Sequence, residues 1–115
     1  MKVTLSDGRI AQIGVTYSNR VPQRAFEKYL DKVDESFFER FRSTDILLTV
    51  EHPTTKENVT IKGSSYCNPN DRFVKCKARS KALKRLMQDT PYSILSKKDR
   101  ALLCPIILHG HRVKE

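Results

Sequence analysis

Residues 67–87, CNPNDRFVKCKARSKALKRLM, lead from a turn into a helix crowded with lysine and arginine. The turn signal is Asn68-Pro69-Asn70-Asp71, in which either asparagine can cap the helix and the proline suits its first turn. The helix is predicted to run to about Gln88, because the residue before the proline of Asp89-Thr90-Pro91 disfavours the helical conformation. The rest of the chain is expected to be a small scaffold that presents this basic helix.

Side chains of different character separate around this helix at 100° per residue. The side expected to face a sheet carries Phe73, Cys76, Leu83 and Met87. Two basic groups lie elsewhere. The first, called the basic stripe below, consists of Lys77, Lys81, Lys84 and Arg85. The second consists of Arg72, Lys75 and Arg79, on a flank shared with Leu86. The small Ala78 and Ala82 lie between the basic groups and would let another backbone approach closely.

The net charge of +9 is concentrated in the second half of the chain. Residues 1–63 hold ten Lys and Arg against nine Asp and Glu, whereas residues 64–115 hold twelve against four. A field of one sign attracts polyanions or an acidic protein surface. Because like charges at i, i+4 destabilise a helix, several on one face suggest an anionic partner. The alternative is a solvated face that keeps a small protein soluble.

The candidate binding residues are the cations of the basic helix and of the segment after it. Their expected role is phosphate contact, which positions a nucleic acid without reading its sequence. Arg79 lies near the apolar side, so pairing with a carboxylate such as Asp71 or Asp99 is an equal alternative. Tyr66 and Tyr92 bracket the helix and could stack on bases, although an edge-of-core position is favoured for both. The candidates are Lys75, Lys77, Arg79, Lys81, Lys84, Arg85, Lys97, Lys98 and Arg100.

Two β-hairpins are predicted before the basic helix. In the first, β-prone residues 3–5 and 10–15 flank Asp7-Gly8, a dipeptide suited to a tight turn. In the second, a strand over residues 45–51 and a polar turn over residues 52–58 precede a return strand at residues 59–61, which Gly63-Ser64-Ser65 ends.

One amphipathic helix is predicted between the hairpins, over about residues 22–42. Its apolar side chains recur at spacings of three and four, and acidic residues fall mainly on the other side. Core packing is favoured over a docking face for this apolar row. The row is Phe26, Leu30, Val33, Phe37 and Phe41.

After the basic helix, Ser96-Lys97-Lys98-Asp99 resembles a capping box and predicts a short helix over residues 97–103. Cys104-Pro105 is expected to end it, residues 106–108 to form a last strand, and residues 109–115 a basic mobile tail. These elements predict a single α+β domain over residues 1–115, with a basic C-terminal half at 64–115. Its fold is an antiparallel sheet of two hairpins with helices packed on one face.

No motif in the chain predicts catalysis, a metal or a cofactor. The potential ligands match no common zinc spacing, and neither a phosphate-binding glycine loop nor a nucleophile motif occurs. The three cysteines are expected to be reduced thiols, and Cys76 to be a small core residue. With no signal peptide or membrane-spanning run visible, a cytoplasmic location is expected. The potential ligands are Cys67, Cys76, Cys104, His52, His109 and His111.

The basic helix resembles a pattern of small, mostly uncharacterised bacteriophage proteins: Cys-x-Pro-x-Asp-x-Phe, a basic residue, Gly-Arg, then Ala and Arg at helical spacing. Ser96-Lys97-Lys98-Asp99-Arg100 is similar to a segment that follows in such proteins, and Ala78 departs from the pattern's glycine. The resemblance covers about a third of the chain. It implies a phage origin, and no activity transfers with it. The matching residues are Cys67, Pro69, Asp71, Phe73, Lys75, Arg79, Ala82 and Arg85.

The sequence therefore predicts a non-catalytic, phage-encoded protein of the host cytoplasm that binds nucleic acid or a nucleoprotein. The alternative is a phage-encoded inhibitor that docks on an acidic or nucleic-acid-binding surface of a host protein, of an anti-defence, anti-CRISPR or host-takeover type. A third interpretation is a small virion component that self-associates.

Overall fold

The computed structural model describes residues 1–109, which form four strands and four helices. In chain order these are β1 (Lys2–Thr4), β2 (Ile10–Ser18), α1 (Gln23–Tyr29), α2 (Glu35–Glu39), β3 (Arg42–Glu51), β4 (Asn58–Cys67), α3 (Lys75–Asp89) and α4 (Lys97–His109). The strands form one antiparallel sheet in the order β1-β2-β3-β4. The predicted α+β class is confirmed.

The first hairpin turns at Asp7-Gly8, as predicted. Gly8 has a φ of +92°, a conformation that glycine adopts without steric cost. The N–H of Leu5 donates to the carbonyl of Arg9 at 2.8 Å and closes the turn. β2 then stays paired with β3 as far as Ser18.

The second hairpin is longer than predicted. β3 and β4 pair from Arg42 and Cys67 to Glu51 and Asn58. The prediction that Gly63-Ser64-Ser65 ends the return strand is wrong, because all three residues have partners in β3. These small residues are instead the part of β4 on which α3 packs.

The main core lies between one face of the sheet and helices α3 and α4. Strand residues point alternately to the two faces, and those on the helix side are mostly apolar and buried. The largest buried side chains of this core come from β3, α3, α4 and the loop before α4. They are Ile46, Leu48, Val50, Leu86, Leu95, Leu103 and Ile107.

Gly63 allows the backbone of α3 to contact β4 directly. A Cβ atom built on Gly63 would lie 2.3 Å from the carbonyl oxygen of Ala82 and 2.6 Å from the backbone nitrogen of Leu86. The hydroxyl of Ser65 donates to the carbonyl of Ala78 at 2.8 Å on the same strand. The close backbone approach expected at Ala82 is therefore made by the chain's own strand.

α3 begins at Lys75, later than the predicted start near residue 69. The Asn68 side-chain oxygen accepts from the N–H of Asn70 at 3.0 Å, and its carbonyl accepts from Asp71 at 2.9 Å. These local bonds form a turn that competes with a helical start. Val74, at the N-cap, is extended and its side chain forms no capping hydrogen bond.

The single helix predicted over residues 22–42 is wrong; two short helices lie in a helical arm, residues 19–41. Phe37 is buried, whereas Phe26 and Leu30 are 41% and 52% exposed, so the apolar row is not buried as a unit. The core packing predicted for this row therefore holds only for part of it. The Phe37, Phe38 and Phe26 rings instead pack on one another, with centroids 5.1–5.8 Å apart for adjacent rings.

α4 continues through Pro105 to His109, so the predicted helix end at Cys104-Pro105 and the last strand at residues 106–108 are wrong. Asp99, Leu103 and Ile107 recur every four residues and are all buried. This burial outweighs the backbone hydrogen bond that a proline inside a helix omits.

The predicted capping box before α4 is formed only in part. The Ser96 hydroxyl accepts from the N–H of Asp99 at 3.3 Å, as predicted. The Asp99 carboxylate does not return to the N-cap. It accepts from the N–H of Ser6 at 2.9 Å and lies 3.9 Å from the Arg9 guanidinium. Asp99 therefore ties α4 to the first hairpin.

Of the predicted basic tail, His109 belongs to α4, and residues 110–115 lie outside the described residues. Among residues 1–109, no helix combines the length and apolar character needed to cross a bilayer.

Gly63→Ala is expected to lower the free energy of unfolding by about 1–3 kcal/mol, because the added methyl overlaps the backbone of α3. Gly14→Ala is the matched control, since a Cβ there meets no heavy atom within 4 Å. Urea denaturation followed by circular dichroism measures both. An unchanged midpoint for Gly63→Ala would contradict the contact between α3 and β4.

Candidate functional site

The basic stripe lies on the solvent side of α3. All four of its residues, Lys77, Lys81, Lys84 and Arg85, are exposed, while Ala82, Leu83 and Leu86 are buried against the sheet and α4. The predicted apolar side is shifted, because Phe73 precedes the helix and Cys76 is exposed in its first turn. The buried side of α3 is therefore formed by residues 82, 83 and 86, and the basic stripe lies on the opposite, solvent-exposed side.

The cations of α3 have no carboxylate partner among residues 1–109. The ion pairs within this range join Arg9 to Asp7 and Asp99, and Arg20 to Asp45. α3 itself holds six Lys and Arg residues against one aspartate, Asp89. No carboxylate among residues 1–109 therefore offsets this positive charge, and mutual repulsion costs a few tenths of a kcal/mol per pair.

Arg79 and Lys75 gather around Tyr17 of β2. The Arg79 Nε donates to the Tyr17 hydroxyl at 2.6 Å, and the Lys75 Nζ lies 5.0 Å from the ring centroid. The alternative that Arg79 pairs with Asp71 or Asp99 is wrong. A groove of about 580 Å³ adjoins this cluster, and His109 also lines it. Lys75 is exposed and Arg79 half-buried. Both contact the sheet through Tyr17, whereas the basic stripe faces solvent.

Arg100 has a structural contact that the sequence does not reveal. Its guanidinium donates to the carbonyls of Met87 at 2.6 Å and Leu95 at 3.1 Å, and also to that of Thr90. It thus satisfies carbonyls at the C-terminal end of α3, which lack helical partners. Its ability to contact a phosphate is correspondingly reduced.

Lys97 and Lys98 are exposed in the first turn of α4. Neither lines the grooves that border α3. The nine predicted residues therefore fall into an exposed set on α3, a pair around Tyr17, an exposed pair on α4, and the structural Arg100.

Arg85 connects the basic stripe to the edge of the sheet. β4 is an edge strand, and such strands leave backbone groups without a sheet partner. The Arg85 Nη1 donates to the carbonyl of Ser64 in β4 at 2.6 Å. This bond holds the guanidinium at the rim of a second groove.

This second groove, called the arm groove, lies between α1 and the end of β4 and has a volume of about 500 Å³. Arg24 and Lys28, one turn apart on α1, line it opposite Tyr66. Sequence reasoning missed both cations, because it assigned them to a long helix of mixed charge. Their i, i+4 spacing was the available signal. The other lining residues are Pro22, Ala25, Tyr29, Asn68 and Arg85.

The two tyrosines that bracket α3, Tyr66 and Tyr92, differ in how far they are exposed to solvent. Tyr66 is half-buried at the arm groove, with the Arg20 guanidinium 5.6 Å from its ring centroid. Tyr92 is 66% exposed and has the Arg100 guanidinium 4.1 Å from its centroid. The edge-of-core position favoured for both fits Tyr66 and is wrong for Tyr92.

The cysteines are all free, and Cys76 is exposed rather than in the core. The first turn of α3, which carries it, lies away from the buried residues at 82–86. Partial burial raises the pKa of the Cys104 thiol. Among residues 1–109, no three His, Cys, Asp or Glu side chains converge as metal ligands.

In comparisons with known proteins, no family model, no curated protein and no solved structure matches this chain significantly.

Arg100→Ala is expected to destabilise the fold by about 2 kcal/mol or more, because the carbonyls of Thr90 and Leu95 lose their donor and that of Met87 keeps only the N–H of Thr90, at 3.4 Å. Arg100→Lys should restore little, since an ammonium group cannot replace the planar fork. Lys98→Ala, two residues away and exposed, is the control and should change stability by less than about 0.5 kcal/mol. Thermal unfolding distinguishes these outcomes, and equal effects for Arg100→Ala and Lys98→Ala would contradict the structural role.

Proposed function

We propose that this protein binds nucleic acid, free or within a nucleoprotein, through the basic stripe and without catalysing a reaction. The observation that supports this most is the row of exposed α3 cations with no carboxylate partner among residues 1–109. A row of like charges destabilises its helix, so an anionic ligand that neutralises it explains its presence.

The proposed contacts are to phosphates. Each Lys or Arg that neutralises a phosphate releases condensed counterions, so affinity falls steeply as salt rises. Lys77, Lys81 and Arg85 follow one another at four-residue intervals, which places them along about 12 Å of helix axis. Lys75 and Arg79 would extend this contact at one end of α3, and Lys97 and Lys98 at the other. Such contacts position a nucleic acid and read no sequence.

A bacteriophage origin belongs to the same proposal and rests on the resemblance of residues 67–87 and 96–100 to small phage proteins. The protein would then act in the host cytoplasm, where nucleic acid and nucleoproteins are abundant.

Reversal of three stripe charges tests the phosphate contacts. Lys77→Glu, Lys81→Glu and Lys84→Glu combined should abolish binding of a labelled duplex or single strand at about 0.1 M salt, and should flatten the dependence of log affinity on log salt. Fluorescence anisotropy over a salt series measures both quantities.

The matched control reverses Lys2, Lys32 and Lys56, three exposed lysines outside α3, and changes the net charge by the same amount. Equal loss of affinity in the two triple variants would reduce the effect to net charge and would reject the basic stripe as the site. No binding by the wild-type protein at low salt would reject the function.

A second candidate function is the docking of the protein on a host protein as an inhibitor. The observation that favours it is the exposed apolar pair Phe26 and Leu30 on the helical arm, one turn apart and interspersed with Glu27 and Asp31. Exposed apolar side chains at this spacing can anchor a helix in a partner's groove.

Stoichiometric capture of one host protein from a nuclease-treated lysate, lost in Phe26→Ser combined with Leu30→Ser, is the result expected of such an inhibitor. Lys32→Ser, an exposed change in the same arm, should leave that capture intact. Recovery of no protein after nuclease treatment would count against this second function.

A further inference from the structure

We propose that the arm groove holds an unpaired nucleotide, so that the protein prefers single-stranded nucleic acid to duplex. This inference rests on the proposed function and specifies the class of nucleic acid. The groove is formed where the helical arm, the end of β4 and α3 meet.

The walls of the groove differ in chemistry. On one side α1 presents Arg24 and Lys28, which are exposed and one turn apart. On the other side lie the Tyr66 ring and Asn68, with Arg85 at the junction with α3. The volume of about 500 Å³ falls within the range of about 300–1,000 Å³ that small-molecule sites occupy.

Each wall suits one part of a nucleotide. The cations of α1 can contact a phosphate, and the Tyr66 ring offers a face on which any base can stack. Asn68 already uses its side-chain oxygen to accept from Asn70, which leaves its amide NH2 as a donor towards the edge of a base. The Arg20 guanidinium, bonded to Asp45, lies 5.6 Å from the Tyr66 centroid and adds a cation–π contact to that ring.

The groove and the basic stripe form one continuous track. Arg85 belongs to both, since it lines the groove and follows Lys81 and Lys77 along α3. A strand with one base in the groove can therefore place its next phosphates on the stripe, which a mononucleotide cannot do. This continuity favours a polynucleotide as the ligand.

A duplex cannot use the groove in the same way. Its bases are stacked and paired, so a base reaches a protein ring only after it is flipped out at an energetic cost. A duplex would still contact the basic stripe through its phosphates. The groove therefore predicts a preference for single strand, whereas the stripe alone predicts none, because the duplex has the higher density of phosphate charge.

The test compares labelled single-stranded DNA, single-stranded RNA and a DNA duplex of the same length by fluorescence anisotropy at one salt concentration. Tyr66→Ala should weaken single-strand binding about tenfold, through loss of base stacking, and leave duplex affinity within about twofold. Tyr66→Phe should retain the wild-type affinity. Tyr92→Ala, an exposed tyrosine beside an arginine but outside the groove, is the control.

Arg24→Gln combined with Lys28→Gln is a second variant, on an exposed helix surface, which keeps the test decisive if Tyr66→Ala does not fold. It should also weaken single strands more than duplex. Loss of affinity for DNA and RNA alike would support a site that recognises base and phosphate, and loss for RNA alone would support one that also contacts the 2′-hydroxyl.

Equal effects of Tyr66→Ala and the Arg24/Lys28 variant on single strand and duplex would overturn the inference. If these variants bind as wild type while the stripe reversal abolishes binding, the proposed function stands and the groove assignment fails. If the wild-type protein binds no nucleic acid at all, both fail together.

Discussion

The contact between Gly63 and the backbone of α3 is the constraint on which the remaining structure depends. The absence of a side chain at Gly63 lets Ala82 and Leu86 approach β4 at a distance that any Cβ would forbid. This approach fixes the rotation of α3 about its axis. The same rotation that buries Leu83 and Leu86 sends the basic stripe towards solvent, and it brings Arg85 within hydrogen-bonding distance of Ser64.

Two buried or half-buried arginines then hold α4 and the loop before it in place. Arg9 joins the first hairpin to the carbonyl of Ile94, at 2.8 Å, and lies near the Asp99 carboxylate. Arg100 joins α4 to the end of α3. Charged groups away from water are stable only when their hydrogen-bonding capacity is used, and both guanidinia are used on backbone carbonyls. The three lysines of the basic stripe have no such contact among residues 1–109, and Arg85 has one, to the carbonyl of Ser64.

The helical arm buries less apolar surface than the sheet, α3 and α4 do. Its aromatic residues form a cluster of their own, and α1 buries none of its residues. Segments with few buried contacts open at low free-energy cost, a property that the proposed nucleotide site in the arm groove would use. Exposed apolar residues and an unneutralised basic helix both depart from what stability alone favours, and departures of this kind are concentrated at functional sites.

The sequence by itself determined the elements that depend on local chemistry. The Asp7-Gly8 turn, the second hairpin, the α+β class and the separation of charge on α3 all follow from residue types and their spacing. The spacing of the cations along the helix also determines which of them share a side, so the basic stripe follows from the sequence alone. These features involve residues within a few positions of one another, for which propensity and periodicity are sufficient.

Only the tertiary structure decided the matters that depend on distant neighbours. Burial of Ile107 carries α4 through Pro105, and the end of α3 engages Arg100, whose role the sequence presented as phosphate contact. The arm folds back so that Arg24 and Lys28 lie opposite Tyr66, across more than 35 residues of chain. Periodicity tells which side chains share a face, but the partner of that face is set by packing between elements, because contact energies there outweigh local preference.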